Sequence, residues 1–118
     1  MTTSDADFKV FVAECMKLMK RWSIVGWDVR FLHEKLDGKR AECRTRVISR
    51  VAALVLSKSW NDAVGKCPRS TIVCLARHET THLLLAPLAD VVSARYLSED
   101  EEKHANEAVC NHLESLLP

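Results

Sequence analysis

The chain has 118 residues, 47% hydrophobic and 28% charged, which suits one globular domain over residues 1–118 and excludes a disordered chain. Seventeen Lys and Arg against sixteen Asp and Glu leave a net charge of +1, so no overall field draws the chain to nucleic acid or to an anionic membrane. The opening MTTSDADFKV carries acids where a secretory leader has Lys or Arg, and the apolar run Val51–Leu56 falls far short of the roughly 20 residues that a bilayer span needs. A cytoplasmic chain with no membrane segment is expected. Cys15, Cys43, Cys67, Cys74 and Cys110 are odd in number and contain no Cys-x-x-Cys pair, which favours reduced thiols over a disulfide framework or a cysteine zinc knuckle.

Asp5 to about Ile24 reads as an amphipathic helix. Ser4 is placed to cap it, Asp5 and Asp7 sit in its first turn, and Lys17, Lys20 and Arg21 near its end. From Trp27 the period changes to two: Trp27, Val29 and Phe31 share one face, Asp28 and Arg30 the other. Asp37-Gly38 is a strong hairpin signal, and Ala41, Cys43, Thr45 and Val47 alternate with Arg and Glu beyond it. An antiparallel hairpin is therefore expected. Residues 47–60 fit a helix face or a buried strand, and strand is preferred because a hairpin alone needs a third strand or a covering helix. Asn61–Arg69 reads as a loop. Ser70 then opens an apolar, buried helix that is expected to stop at Pro87. Leu88–Leu97 connects to a last helix opened by Ser98 and Glu101 as a capping box, with Val109, Leu113, Leu116 and Leu117 as its apolar end. The fold class is α+β.

The chemistry lies in His78-Glu79-Thr80-Thr81-His82, an H-E-x-x-H pattern on the buried helix. Spacing i, i+4 puts both imidazoles on one helix face, where they can bind one metal ion, and neutral imidazole nitrogen suits Zn²⁺. Glu79, on the adjoining flank, is positioned to act as general base without ligating. A catalytic site wants three protein ligands and a place for water, so a third ligand is sought downstream among Glu99, Glu101, Glu102, His104, Glu107 and His112. A helical wheel turns Glu102 inward with Val109 and Leu113 and leaves Glu107 at the border of the buried arc.

The segments HETTHLLLAPL and RYLSEDEEKHANEAVCNHLESLL together resemble the minimal gluzincin metallopeptidases, compact HExxH proteins common among phage and prophage reading frames. The stretch WDVRF, a turn, and AECRTRVISRVAALVLSKSW is similar to their small curled sheet. The resemblance runs from Trp27 to the end and is sharply specific only at the HExxH core. It implies a zincin-like arrangement: the motif helix packed beside a C-terminal helix that carries a ligating glutamate. The register of Glu107-Ala-Val-Cys-Asn-His-Leu then favours Glu107 over Glu102 as the third ligand, with His78 and His82. Thr80 and Thr81 depart from the family, whose members carry apolar residues there.

The implied activity is zinc-dependent hydrolysis of a peptide bond. Zn²⁺ brings the pKa of its water from about 15.7 toward 7, Glu79 takes the proton and passes it to the departing amine, and Arg95 or Tyr96 is a candidate oxyanion donor. A rival reading is a phage accessory protein that keeps the scaffold and works by binding a partner. A third uses residues 35–50, where six Lys and Arg face two acids, as a nucleic-acid hairpin, although alternating Arg more often marks the solvent face of a sheet. Trp22, Trp27 and Trp60 are read as core rather than as a stacking platform, and His33 as exposed. Substrate and oligomeric state leave no trace in the sequence.

Overall fold

The computed structural model describes residues 1–60, 65–93 and 99–118, except for the side chains of Ser93, Glu99 and Glu102. The element order is α1 (Asp5–Arg21), β1 (Asp28–Glu34), β2 (Ala41–Arg46), β3 (Val51–Ser57), α2 (Arg69–Ser93) and α3 (Glu99–Leu116). The α+β class is as expected. Among the described residues no helix is long and apolar enough to cross a membrane.

Ser4 caps α1 in a full capping box: its hydroxyl accepts from Asp7 N at 3.1 Å, and the Asp7 carboxylate accepts from Ser4 N at 2.8 Å. Phe11, Cys15 and Leu18 form its buried stripe. The helix ends at Arg21, three residues before the expected Ile24, because Ser23 enters the left-handed region at φ 54°. Ile24 N then bonds Met19 O at 2.9 Å and Ser23 N bonds Lys20 O at 3.3 Å, the paired bonds of a Schellman ending with serine where glycine is usual.

The sheet is mixed, in the order β1-β3-β2, and this corrects the expected antiparallel hairpin. β3 lies between the other two, parallel to β1 and antiparallel to β2. The physical reason is burial. Val-Ala-Ala-Leu-Val-Leu has no polar face to offer solvent, so it takes the centre, while the half-polar β1 and β2 take the edges. Gly38 does turn, at φ 69°, but the turn carries the chain across the end of β3. Ser57 fastens that crossing: its hydroxyl accepts from Leu36 N at 3.0 Å and its N–H donates to Arg40 O at 2.8 Å. Residues 51–57 are thus a strand, as preferred, and the antiparallel hairpin is β2–β3.

Ala52, Leu54 and Leu56 turn to the helical layer, where they join Phe11, Cys15, Ile72, Ala76 and Leu83 in the core. On the opposite face Arg44 bridges Glu42 and Glu34, both at 2.8 Å, and so spans β3 from one edge strand to the other. With Lys39 Nζ 3.0 Å from Glu42, two cations and two acids form a neutralised lid on the sheet. His33 is largely buried rather than exposed: its ring stacks on Phe8 at 5.0 Å, and Nε2 lies 2.8 Å from Thr3 Oγ1. The three tryptophans are scattered, with Trp60 in the core, Trp22 under Arg77 and Trp27 under Arg50.

α2 runs past Pro87 to Ser93, where a stop was expected. Proline removes one helical donor, and the helix continues for six residues without it; Leu83 and Ala86 are buried in the turn that precedes Pro87. The Ser98 cap, Arg95 and Tyr96 lie outside the described residues.

Candidate metal centre

Thr80 and Thr81, the two residues between Glu79 and His82, are fully buried. Their hydroxyls donate to Ala76 O and Arg77 O, each at 2.7 Å, one turn back in the same helix. Each buried hydroxyl is thus satisfied within α2 itself, one turn before His82.

The two imidazoles meet edge to face, with ring centres 4.8 Å apart and Nε2 atoms 3.2 Å apart. α3 brings Glu107 to both, with Oε2 3.1 Å from His78 Nε2 and Oε1 2.8 Å from His82 Nε2. His78, His82 and Glu107 form a group that could hold a metal ion. The spacing fits: ligand bonds of 2.0–2.2 Å at tetrahedral angles place neighbouring donor atoms about 3.3 Å apart. The donor set is imidazole, imidazole and carboxylate, which suits several divalent ions. The histidine side chains are 18% exposed and Glu107 56%, so the cluster sits at a surface that solvent reaches.

Two further α3 residues touch the far side of the rings. Glu114 Oε2 lies 2.8 Å from His78 Nδ1, and Cys110 Sγ lies 3.2 Å from His82 Nδ1 and 3.4 Å from Asn106 Oδ1. Sequence reasoning missed Glu114 and gave Cys110 no role. The signal was there, since Glu107, Cys110 and Glu114 recur at the three- and four-residue steps of one helix face. The same face corrects the wheel that aimed Val109 inward: Val109 and Leu116 are exposed, and Cys110 is the buried position. His104 and His112 are exposed on other faces of α3, and the side chain of Glu102 lies outside the described residues.

Glu79 is 6% exposed. Burial pushes its carboxyl up to about 7; His78 opposes the rise and Glu107 adds to it. Burial likewise pushes the Cys110 thiol up to about 12. His78, Glu79, His82 and Glu107 open on a groove of about 940 Å³ whose opposite wall is Gly38–Cys43, at the start of edge strand β2. A second hollow of about 730 Å³ shares His82 and Glu107 and extends toward Val47 and Ile48 at the β2–β3 turn.

Arg77, beside His78 in sequence, reaches the end of α3. Its Nε donates to Glu114 O and its terminal nitrogen to Leu117 O, while its guanidinium lies over Trp22 at 5.7 Å. Those are carbonyls that a helix end leaves without partners. One arginine thus fixes α3 against α2, and with it the two acids that face His78. No protein-family model matches the chain, and no curated protein or solved structure matches it either.

Proposed function

We propose that the chain is a zinc-dependent metallopeptidase of minimal gluzincin type, acting on a peptide or protein substrate. The observation that carries this reading is the convergence of His78 Nε2, His82 Nε2 and the Glu107 carboxylate, with Glu79 buried in the same groove. Zn²⁺ held there supplies Lewis acidity, which acidifies water and polarises a carbonyl oxygen. His78, His82 and Glu107 bind, and the remaining chemistry belongs to Glu79. Burial raises the Glu79 carboxyl above its ordinary value, the direction that suits a group which both takes and gives a proton. Glu79 accepts the proton of the attacking water and returns it to the leaving amine. An extended peptide fits beside β2, an edge strand along one wall of the groove, where main-chain bonding would fix its position.

Elemental analysis of the purified protein beside a His78→Ala, His82→Ala double variant tests the centre. About one zinc per chain is expected in the first and none in the second. Cleavage of a peptide library by the wild type, lost in Glu79→Gln, is expected next. Zinc binding with peptide capture and no cleavage would instead make the chain a binding protein on this scaffold.

A further inference from the structure

We infer that Glu114 and Cys110 are positioning residues of the metal centre, each holding one imidazole by its Nδ1–H so that both Nε2 atoms are left for an ion shared with Glu107. The inference rests on the metal reading of that cluster and extends it to residues that bind nothing themselves. A neutral imidazole has one N–H and one lone pair, and the partner of one nitrogen decides which the other presents.

At His78 the argument is direct. Glu114 Oε2, 2.8 Å from Nδ1, is a carboxylate oxygen and accepts only, so Nδ1–H donates to it, and with an ion at Nε2 the Nδ1 proton is the one this ring keeps. At His82 the partner is a thiol. Cys110 Sγ lies against Asn106 Oδ1, an acceptor, so the S–H donates to Asn106. The sulfur's lone pairs are then left for His82, whose Nδ1–H donates to Sγ. A relay of one direction results, from His82 through Cys110 to Asn106, and it leaves Nε2 for the ion. Glu107 stands 2.8 Å from His82 Nε2 and 3.1 Å from His78 Nε2, and an ion held by all three would take the place of any proton between them, while each ring keeps its Nδ1–H on its own partner. The supports are unequal. Glu114 adds negative charge behind His78 and makes that ring the stronger donor, whereas Cys110 orients His82 without adding charge.

Cobalt(II) alone, titrated into the full chain and followed by its visible d–d bands, tests the assignment. Wild type is expected to bind one ion with no thiolate-to-metal charge-transfer band in the near ultraviolet. Glu114→Gln keeps an acceptor and loses the charge, and is expected to weaken binding about tenfold, with Glu114→Ala nearer 100-fold. Cys110→Ala is expected to weaken binding at least tenfold, while Cys110→Ser, which can accept and donate in the same directions, stays within about threefold of wild type. Urea unfolding of each metal-free variant separates lost affinity from lost fold. In the zinc-loaded wild type, nitrogen-15 spectra should show exchange-protected Nδ1 protons on both rings, the His82 proton losing protection in Cys110→Ala. A charge-transfer band would make Cys110 a ligand and overturn the inference. So would equal affinities across the variants, with the metal centre itself left standing. Failure of the wild type to bind cobalt or zinc would bring down both.

Discussion

Ser23 holds a left-handed conformation at φ 54°, in which a Cβ atom crowds the following carbonyl. Glycine has no such penalty, and the two backbone bonds that close α1 do not involve the serine side chain. Ser23→Gly is therefore expected to raise stability by about 0.5–1 kcal/mol, read as a higher urea midpoint at unchanged slope. A second residue-scale outcome concerns the thiols. Cys74 is exposed, whereas burial pushes Cys15 up to about 12 and Cys43 higher still, so at neutral pH almost none of either is thiolate. Iodoacetamide followed by mass spectrometry should mark Cys74 first, the half-buried Cys43 of the groove wall more slowly, and Cys15 only on unfolding. Early marking of Cys15 would contradict the packing of α1 on α2.

Arg77 supplements a short apolar stripe on α3, where Cys110 is buried and Leu113 half-buried while Val109 and Leu116 face solvent. Arg77→Ala leaves the terminal carbonyls of α3 without their charged donor, a loss of about 2 kcal/mol by the worth of hydrogen bonds to charged groups. Hydrogen exchange should then show α3 amides opening while those of β3 keep their protection. Arg77→Lys, lacking the planar fork, should recover only part of the loss. None of this was legible in the sequence, because Arg77 acts on backbone carbonyls that any residue could supply. Local patterns did carry α1 with its Ser4 cap, the choice of strand for 51–57, and the His78–His82 pair. What failed was partner choice. Asp37-Gly38 signals a turn equally well when the chain crosses a neighbouring strand's end, and Pro87 costs α2 one backbone bond without ending it. Glu107 shows the same division: an idealised wheel put it at the border of the buried arc, and the packing of Cys110 against His82 sets the rotation of α3 that brings it in.

At the scale of the molecule, the three donors come from two helices, so an ion bound by all of them ties α3 to α2. Binding to the folded chain alone adds RT ln(1 + [L]/Kd), about 2.7 kcal/mol when free metal stands at 100 times Kd. For a chain of this length that corresponds to a rise in Tm of roughly 10 °C, which a chelator should reverse. The lid of the sheet contributes separately. Burial alone would raise the Glu42 carboxyl, but hydrogen bonds from Lys39 and Arg44 outweigh it and hold Glu42 below its ordinary value. A carboxylate depressed in the folded state adds stability above its unfolded pKa and loses it as pH falls through the folded one. Acid should therefore weaken the lid, with Glu42→Gln less sensitive in that range than wild type. The two effects part cleanly in one experiment. Glu42→Gln melted at neutral pH with and without zinc should keep most of the metal-dependent rise in Tm, because among the described residues Glu42 pairs with Lys39 and Arg44 and with none of the three donors, while Glu107→Gln should lose most of it. A full zinc-dependent rise in Glu107→Gln would remove α3 from the metal centre and leave the ion, if bound, to α2 alone.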